Sequence, residues 1–331
     1  MSEGLLVSPG FLLRHGDRLR AVLAEMESPP DLVELPHDPA ERLSPDVLER
    51  ITLAHFSADV FPDYGRSYFS AALKAPNLRW MHIFNAGTDD PVFGTLMEKG
   101  VRITNSAGST AEPIANTAIG GMLMLARPFL AWMESQRRNS WEPIRDAERT
   151  PPDLRGQTMV VLGLGNIGRE IARLARAFGM HVIGMRRSPR RDDDPVDEML
   201  HPSELHTALG RAQWLAIAAP LTAETRGVID EAALRAMPRG GRVMNVGRGE
   251  IIDEPALIAA LRDGHLGGAY LDVASEEPLP PDSPLWELPN VIITPHNSAV
   301  SSGNEERTTQ MFLDNLARWG RGEPLHNEVR D

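Results

Sequence analysis

Apolar residues in this chain come in short bursts set between mixed segments. Leu5–Val7, Leu32–Leu35, Ile51–His55, Trp80–Phe84 and Val101–Thr104 read as strands. Arg18–Met26 and Tyr68–Leu73 carry helical patterns between them. Such alternation predicts a parallel sheet with helices on both faces. Ala111–Leu130 is rich in Ala, Ile, Met and Leu and is long enough for a helix of several turns. Pro113 suits its first turn, and Pro128 marks a kink or an end. Ala131–Arg155 is polar, holds Trp132, Trp141, Pro143, Pro151 and Pro152, and reads as an irregular arm.

The alternation then resumes. Met159–Leu162 forms an apolar run that enters Gly163-x-Gly165-x-x-Gly168. Ile171, Leu174, Ala175 and Phe178 follow on one helical face, and His181–Met185 reads as the next strand. Trp214–Ala219, Arg242–Val246, Ala269–Val273 and Val291–Thr294 read as further strands. Helical patterns lie between them at Ser203–Leu209, Glu231–Ala236 and Glu254–Leu261. The region from Met159 to Thr294 thus holds six predicted strands, the number of a full dinucleotide-binding domain. Met311–Trp319 reads as a last helix, and the charge run Arg190–Asp194 reads as a solvated loop.

The glycines give the first chemistry. Gly163 suits a tight turn, Gly165 lets backbone approach a pyrophosphate, and Gly168 allows a helix to pack closely on a strand. The helix that follows offers free N–H groups and a positive dipole end to phosphates. The alternative is a glycine turn that only reverses the chain. The strand before it and the helix after it weigh against that.

Composition narrows the classes. A length of 331 residues favours two domains, and 42% hydrophobic residues suffice for packed cores. There is no cysteine, so disulfides, thiolate catalysis and thiolate metal sites are excluded, and no metal site is expected. This is compatible with a cytoplasmic protein. A net charge of −12 argues against nucleic-acid binding and for small-molecule chemistry. Lys74 and Lys99 are the only lysines, which weighs against Schiff-base catalysis. No apolar run is long enough to span a bilayer, so no membrane partner is expected. The N-terminus reads as a first strand rather than a signal peptide.

Four strand ends carry candidate chemistry, because ligands gather at the carboxyl ends of strands in open parallel sheets. Arg248 lies in the turn Asn245-Val-Gly-Arg-Gly249, where a guanidinium could hold a carboxylate bidentately or merely face solvent. Asp272 ends the next strand and could bond a ligand or cap a turn. Glu277 lies in Glu276-Glu277-Pro278-Leu279-Pro280, aimed inward by the prolines or left as a surface acid. His296 follows Thr294-Pro295 and suits proton transfer near neutral pH, or is structural.

Gly163–Gly168, Asn245–Gly249, Leu271–Pro280 and Thr294–His296 stand in the order and spacing of the D-2-hydroxyacid dehydrogenases, which the chain resembles through nearly its whole length. The resemblance implies an α/β protein of two doubly wound parallel-sheet domains. A Rossmann-type nucleotide-binding domain would span 111–298, and a flavodoxin-like substrate domain would span 1–110 with 299–331. It implies reduction of a small 2-keto acid such as glyoxylate or hydroxypyruvate, in a cleft closed by the two domains. Arg248 would bind the substrate carboxylate and polarise its carbonyl. His296 would be the acid in reduction and the base in oxidation, and Glu277 would favour its protonated form. Asp272 would anchor the nicotinamide carboxamide. Gly163, Gly165, Asn166, Ile167, Gly168, Ala219, Pro220, Thr222, Val246 and Gly247 complete the implied cofactor set. Ala86 and Gly87, in the loop Asn85–Thr88, would join Arg248 and His296 at the substrate. The resemblance also implies a homodimer formed through the nucleotide-binding domain.

Two positions depart from the family pattern. Asn116 stands where a glutamate is common. More telling, Arg186-Arg187-Ser188 occupies the place where an NAD enzyme usually carries an acid for the ribose 2′-hydroxyl. Arginine and serine suit a 2′-phosphate, which predicts NADP(H) in preference to NAD(H), although Asp192, Asp193 and Asp194 lie close by. Two alternatives share the fold. One is a non-catalytic protein that senses a dinucleotide. The other is a formate-type dehydrogenase, which pairs its histidine with glutamine; Glu277 argues against it.

Overall fold

The computed structural model describes residues 3–88, 90–145 and 150–329. The chain forms two compact units, Met1–Ser109 with Ser301–Asp331 and Thr110–Val300.

The first unit begins with β1 (Gly4–Val7), α1 (Pro9–Ala24), β2 (Asp31–Glu34), α2 (Pro45–Arg50) and β3 (Ile51–Phe56). It continues with α3 (Gly65–Lys74), β4 (Trp80–Ile83), α4 (Pro91–Glu98) and β5 (Arg102–Asn105). The five strands are parallel in the order β2-β1-β3-β4-β5, a flavodoxin-like winding. Helix α1 starts well before the expected Arg18. Ser8 caps it, its Oγ accepting from Phe11 N at 3.1 Å, and Pro9 takes the first helical position. Helices α2 and α4 were not expected. They are short, and each also begins with a proline.

The second unit contains α5 (Ala111–Ala126) and α6 (Phe129–Arg137), which meet at a 76° bend beside Pro128. The arm expected to be irregular from Ala131 is therefore helical to Arg137. Residues 146–149 of that arm lie outside the described residues. Next come β6 (Thr158–Leu162), α7 (Asn166–Ala177), β7 (His181–Met185), β8 (Glu198–Leu200) and α8 (Leu205–Leu209). The unit continues with β9 (Trp214–Ile217), α9 (Glu231–Ala236), β10 (Gly241–Asn245), α10 (Glu254–Arg262), β11 (Leu266–Leu271) and β12 (Val291–Ile293). The sheet is parallel, with seven strands in the order β12-β11-β10-β9-β6-β7-β8. The seventh strand, β8, is three residues long at the sheet edge and too brief to show a pattern in sequence.

Alternation along the strands builds two cores. On β6, Val160 and Leu162 join Leu209, Leu234, Leu257 and Leu261 of α8, α9 and α10. Met159 and Val161 face the other way, onto Ala118 and Met122 of α5 and Ile171 and Ala175 of α7. The chain then returns to the first unit as α11 (Asn304–Gly320), whose Phe312, Leu313 and Leu316 are buried with Leu5, Phe11, Leu19 and Trp80. No single helix among the described residues is long and apolar enough to cross a membrane.

Candidate active site

Register places the chemistry on one edge of the seven-stranded sheet. Leu162 pairs with Ile217, Ile217 with Asn245, Asn245 with Leu271, and Leu271 with Ile293. Gly163, Val246, Asp272 and Thr294 therefore leave their strands at one level, at the carboxyl end. The winding reverses between β6 and β9. Gly163 turns there with φ +92°, and a Cβ on it would meet Ala219 N at 2.5 Å. A Cβ on Gly168 would overlap the Gly163 carbonyl, so α7 rests directly on the turn. A Cβ on Gly165 would meet nothing within 4 Å. Gly165 caps α7 without a side-chain hydrogen bond, and Asn166 and Ile167 begin its first turn. This turn has the open backbone and exposed helix end that a dinucleotide pyrophosphate requires, so the residues fit the cofactor. Ala219 is buried beside Gly163, Pro220 is exposed, and Thr222 closes a small turn by donating its N–H to Thr225 Oγ1 at 2.7 Å.

Three loops follow on β10, β11 and β12. In the first, Asn245 Oδ1 accepts from Gly247 N at 3.0 Å, and its Nδ2 donates to Arg248 O at 2.9 Å. Asn245, not singled out from sequence, thus shapes the turn that carries the half-buried Arg248. An asparagine two residues before a glycine was the available signal. A Cβ on Gly249 would overlap the backbone of Ala274, so this turn packs against the loop leaving β11. Asp272 is 4% exposed. Its Oδ1 accepts from Thr294 Oγ1 at 2.6 Å and from the N–H groups of Asn297 and Ser298 at 3.0 Å, and its Oδ2 accepts from Ser298 Oγ. The carboxylate expected to meet a nicotinamide carboxamide is thus engaged in holding the 294–298 turn. Tyr270 extends this network through Thr294 Oγ1 at 2.9 Å, and burial pushes its hydroxyl pKa up to about 12.

His296 sits at the centre of that turn with φ +49°, its N–H donating to Asp272 O at 2.8 Å. Its Nδ1 lies 2.7 Å from Glu277 Oε2, while Glu277 Oε1 accepts from Ala274 N at 3.1 Å. A carboxylate only accepts, so the Nδ1 proton is held there and Nε2 is the nitrogen left for a substrate. A cavity of about 510 Å³ adjoins the pair, walled by Val273, Ala274, Pro278, Leu279, Trp286 and Pro295. Val246 and Gly247 are buried where the β10 loop meets that of β9. Asn116 is exposed on α5.

On the segment after β7 the structure pairs Arg186 and corrects the expectation of a solvated charge run. Arg186 does not stand free for a phosphate. Its side chain is 10% exposed and paired with Asp194, whose side chain is fully buried. The run Arg190–Asp194 is accordingly not a uniformly solvated loop. Arg187 and Ser188 are exposed. Ala86 and Gly87 belong to the first unit, where the Asn105 and Asn85 amides donate to their carbonyls, each at 2.7 Å, and fix the loop.

Residues 119–298 match the sequence profile of the D-isomer specific 2-hydroxyacid dehydrogenase NAD binding domain. The chain is 32% identical over 259 residues to a glyoxylate reductase of Korarchaeum cryptofilum, covering 77% of each. The chain belongs to the D-isomer specific 2-hydroxyacid dehydrogenase family. It is an NAD(P)-dependent oxidoreductase acting on CH–OH groups. Two solved family structures are similar over the full length. One is a family protein from Aeromonas salmonicida, at 28% identity and TM-score 0.78, covering 99% of both chains. The other is the Xanthobacter autotrophicus dehydrogenase in complex with NADPH and MES, at 28% identity and TM-score 0.75, covering 99% of this chain and 98% of that one.

Proposed function

We propose that this dehydrogenase reduces a small 2-keto acid such as glyoxylate or hydroxypyruvate, prefers NADP(H), and uses His296 as its proton donor. The observation that carries the reading is the 2.7 Å His296–Glu277 pair at the carboxyl edge, next to the Arg248 turn. When bound, the dinucleotide supplies the hydride. Glu277 holds Nδ1 of His296 and so aims Nε2, which gives its proton to the keto oxygen as negative charge develops there. In oxidation the same nitrogen takes the proton back. Arg248 opposes the substrate carboxylate and polarises the carbonyl beside it. Asp272 keeps His296 in place through the hydrogen bonds that hold the 294–298 turn.

The NADP(H) preference now rests on Arg187 and Ser188, since Arg186 is committed to Asp194. The NADPH complex of the Xanthobacter relative favours it. A homodimer through the second unit is supported by exposed apolar side chains on and after α6, with Trp132 39% and Trp141 95% exposed. Light scattering tests the dimer. The enzymatic reading is tested by kcat/KM on a panel of 2-keto acids with NADPH and NADH. His296→Ala should lower kcat about 10²- to 10⁴-fold while dinucleotide affinity persists. Turnover near the parent level would remove His296 from the mechanism, and higher efficiency with NADH would overturn the cofactor preference.

A further inference from the structure

We propose that Asp194 is a positioning residue for cofactor selection, which ties up Arg186 as a strut and so presents Arg187 and Ser188 to a 2′-phosphate. The proposal rests on the NADP(H) reading above. Asp194 is the hub of a closed ring. Its oxygens accept from Arg186 Nη1 at 3.0 Å and Nη2 at 2.6 Å, from Arg191 N at 2.6 Å, and from Arg169 Nη1. A fully buried carboxylate persists only when paired and hydrogen-bonded, and two guanidinium groups with one backbone N–H meet that need.

The ring disposes of every donor nitrogen on Arg186. Nε donates to Ser188 O at 3.2 Å, and Nη2 also donates to Pro189 O at 2.5 Å. With both Nη atoms on Asp194, four of its five N–H groups are engaged within the turn. It braces the carbonyls of the turn. Arg190 is likewise turned onto backbone, donating to Val196 O at 2.9 Å and Asp197 O at 3.2 Å. Arg187 and Ser188 are left exposed, beside a surface recess of about 360 Å³ that reaches His201. Arg187 is close enough to Glu224, two residues past Thr222, to help lower that carboxyl's pKa after the Thr222 hydrogen bond.

The ring also reaches the pyrophosphate end. Arg169 lies in the first turn of α7 and bonds Asp193 as well, both its O and its Oδ2 at 2.8 Å. One buried carboxylate therefore fixes the 186–194 turn to the helix that begins at the glycine cradle. With the turn backbone braced in advance, only the Arg187 and Ser188 side chains remain to be ordered on binding. Loss of the hub should therefore weaken the contact made to the 2′-phosphate more than the pyrophosphate contacts that NADH shares, because the packing of Gly168 on Gly163 holds the cradle independently.

Calorimetric titration of NADPH and NADH into the parent, Asp194→Asn and Arg187→Ala proteins tests this. Arg187→Ala should weaken NADPH about ten-fold with NADH unchanged. If the ratio of the two affinities does not move, the NADP(H) reading itself fails. Given that loss, Asp194→Asn should also lower the NADPH-to-NADH affinity ratio several-fold. An equal loss with both cofactors would make Asp194 merely structural and overturn the proposal. A rise in NADPH affinity would identify a released Arg186 as the phosphate ligand and overturn it too. If Asp194→Asn does not give a cooperative thermal transition, Asp194→Glu keeps the charge while displacing it. It should lower the ratio as well, and an unchanged ratio would refute the positioning role.

Discussion

Acidification from about pH 7 to about pH 5 tests the core of the first unit. His82 is buried on β4, its Nδ1 2.8 Å from Thr104 Oγ1 and its Nε2 3.1 Å from Ser106 Oγ. Burial pushes its pKa down from 6.5 to about 3. His55 is 2% exposed, its ring stacked on Phe312 at 3.8 Å between centroids, and burial and then His82 hold its pKa well below 6.5. Folded-state values below the unfolded ones mean that the unfolded chain binds more protons. Stability is then fully present above about pH 6.5 and is lost as pH falls toward about 3. His82 adds a slope of about 1.4 kcal/mol per pH unit in that window. His82 alone thus costs about 2 kcal/mol at pH 5, and His55 adds in the same direction. Urea unfolding of the parent and His82→Gln proteins, followed by circular dichroism across pH 5 to 8, measures this. Glutamine can serve both hydroxyl groups but does not titrate, so the variant should lose about one proton's worth of slope. A parent stability flat across this range, or an unchanged slope in the variant, would refute the reasoning.

Two further outcomes follow from close contacts at the carboxyl edge. Gly168→Ala places a methyl group on the Gly163 carbonyl, so titration should show dinucleotide affinity falling at least about ten-fold; unchanged affinity would mean that α7 need not rest on the turn. Asp272→Asn removes an acceptor from the Ser298 hydroxyl and should cost about 1–3 kcal/mol in urea unfolding, with kcat falling as the His296 turn loosens; full stability would show that the network is dispensable.

The features legible in sequence were those encoded by neighbours. The run into Gly163, the helical face after Gly168 and the break at Pro128 each depend on residues within one or two turns. Arg248, Asp272 and His296 could be placed on strand ends because the strands before them were readable, and the register then aligned them. Other features rest on distant partners. Asp194 is buried because Arg169, 25 residues earlier, reaches it from another element. Asp272 is committed to hydroxyl and N–H groups 22 to 26 residues later. Neither pairing leaves a local pattern. Short α2, α4 and β8 were missed for the opposite reason, since so few residues show no period.

The return of α11 to the first unit sets an order of events during synthesis. Leu5, Phe11, Leu19 and Trp80 gain Phe312, Leu313 and Leu316 as neighbours only after Thr110–Val300 has been translated. At about 5–20 residues per second that interval lasts roughly 10–40 s. The second unit, built from one continuous stretch, can fold while the first is still waiting for its last helix. The N-terminal strands therefore spend that time with one face covered by α1 alone, and it is this half-built face, not the nucleotide fold, that a nascent-chain chaperone would find.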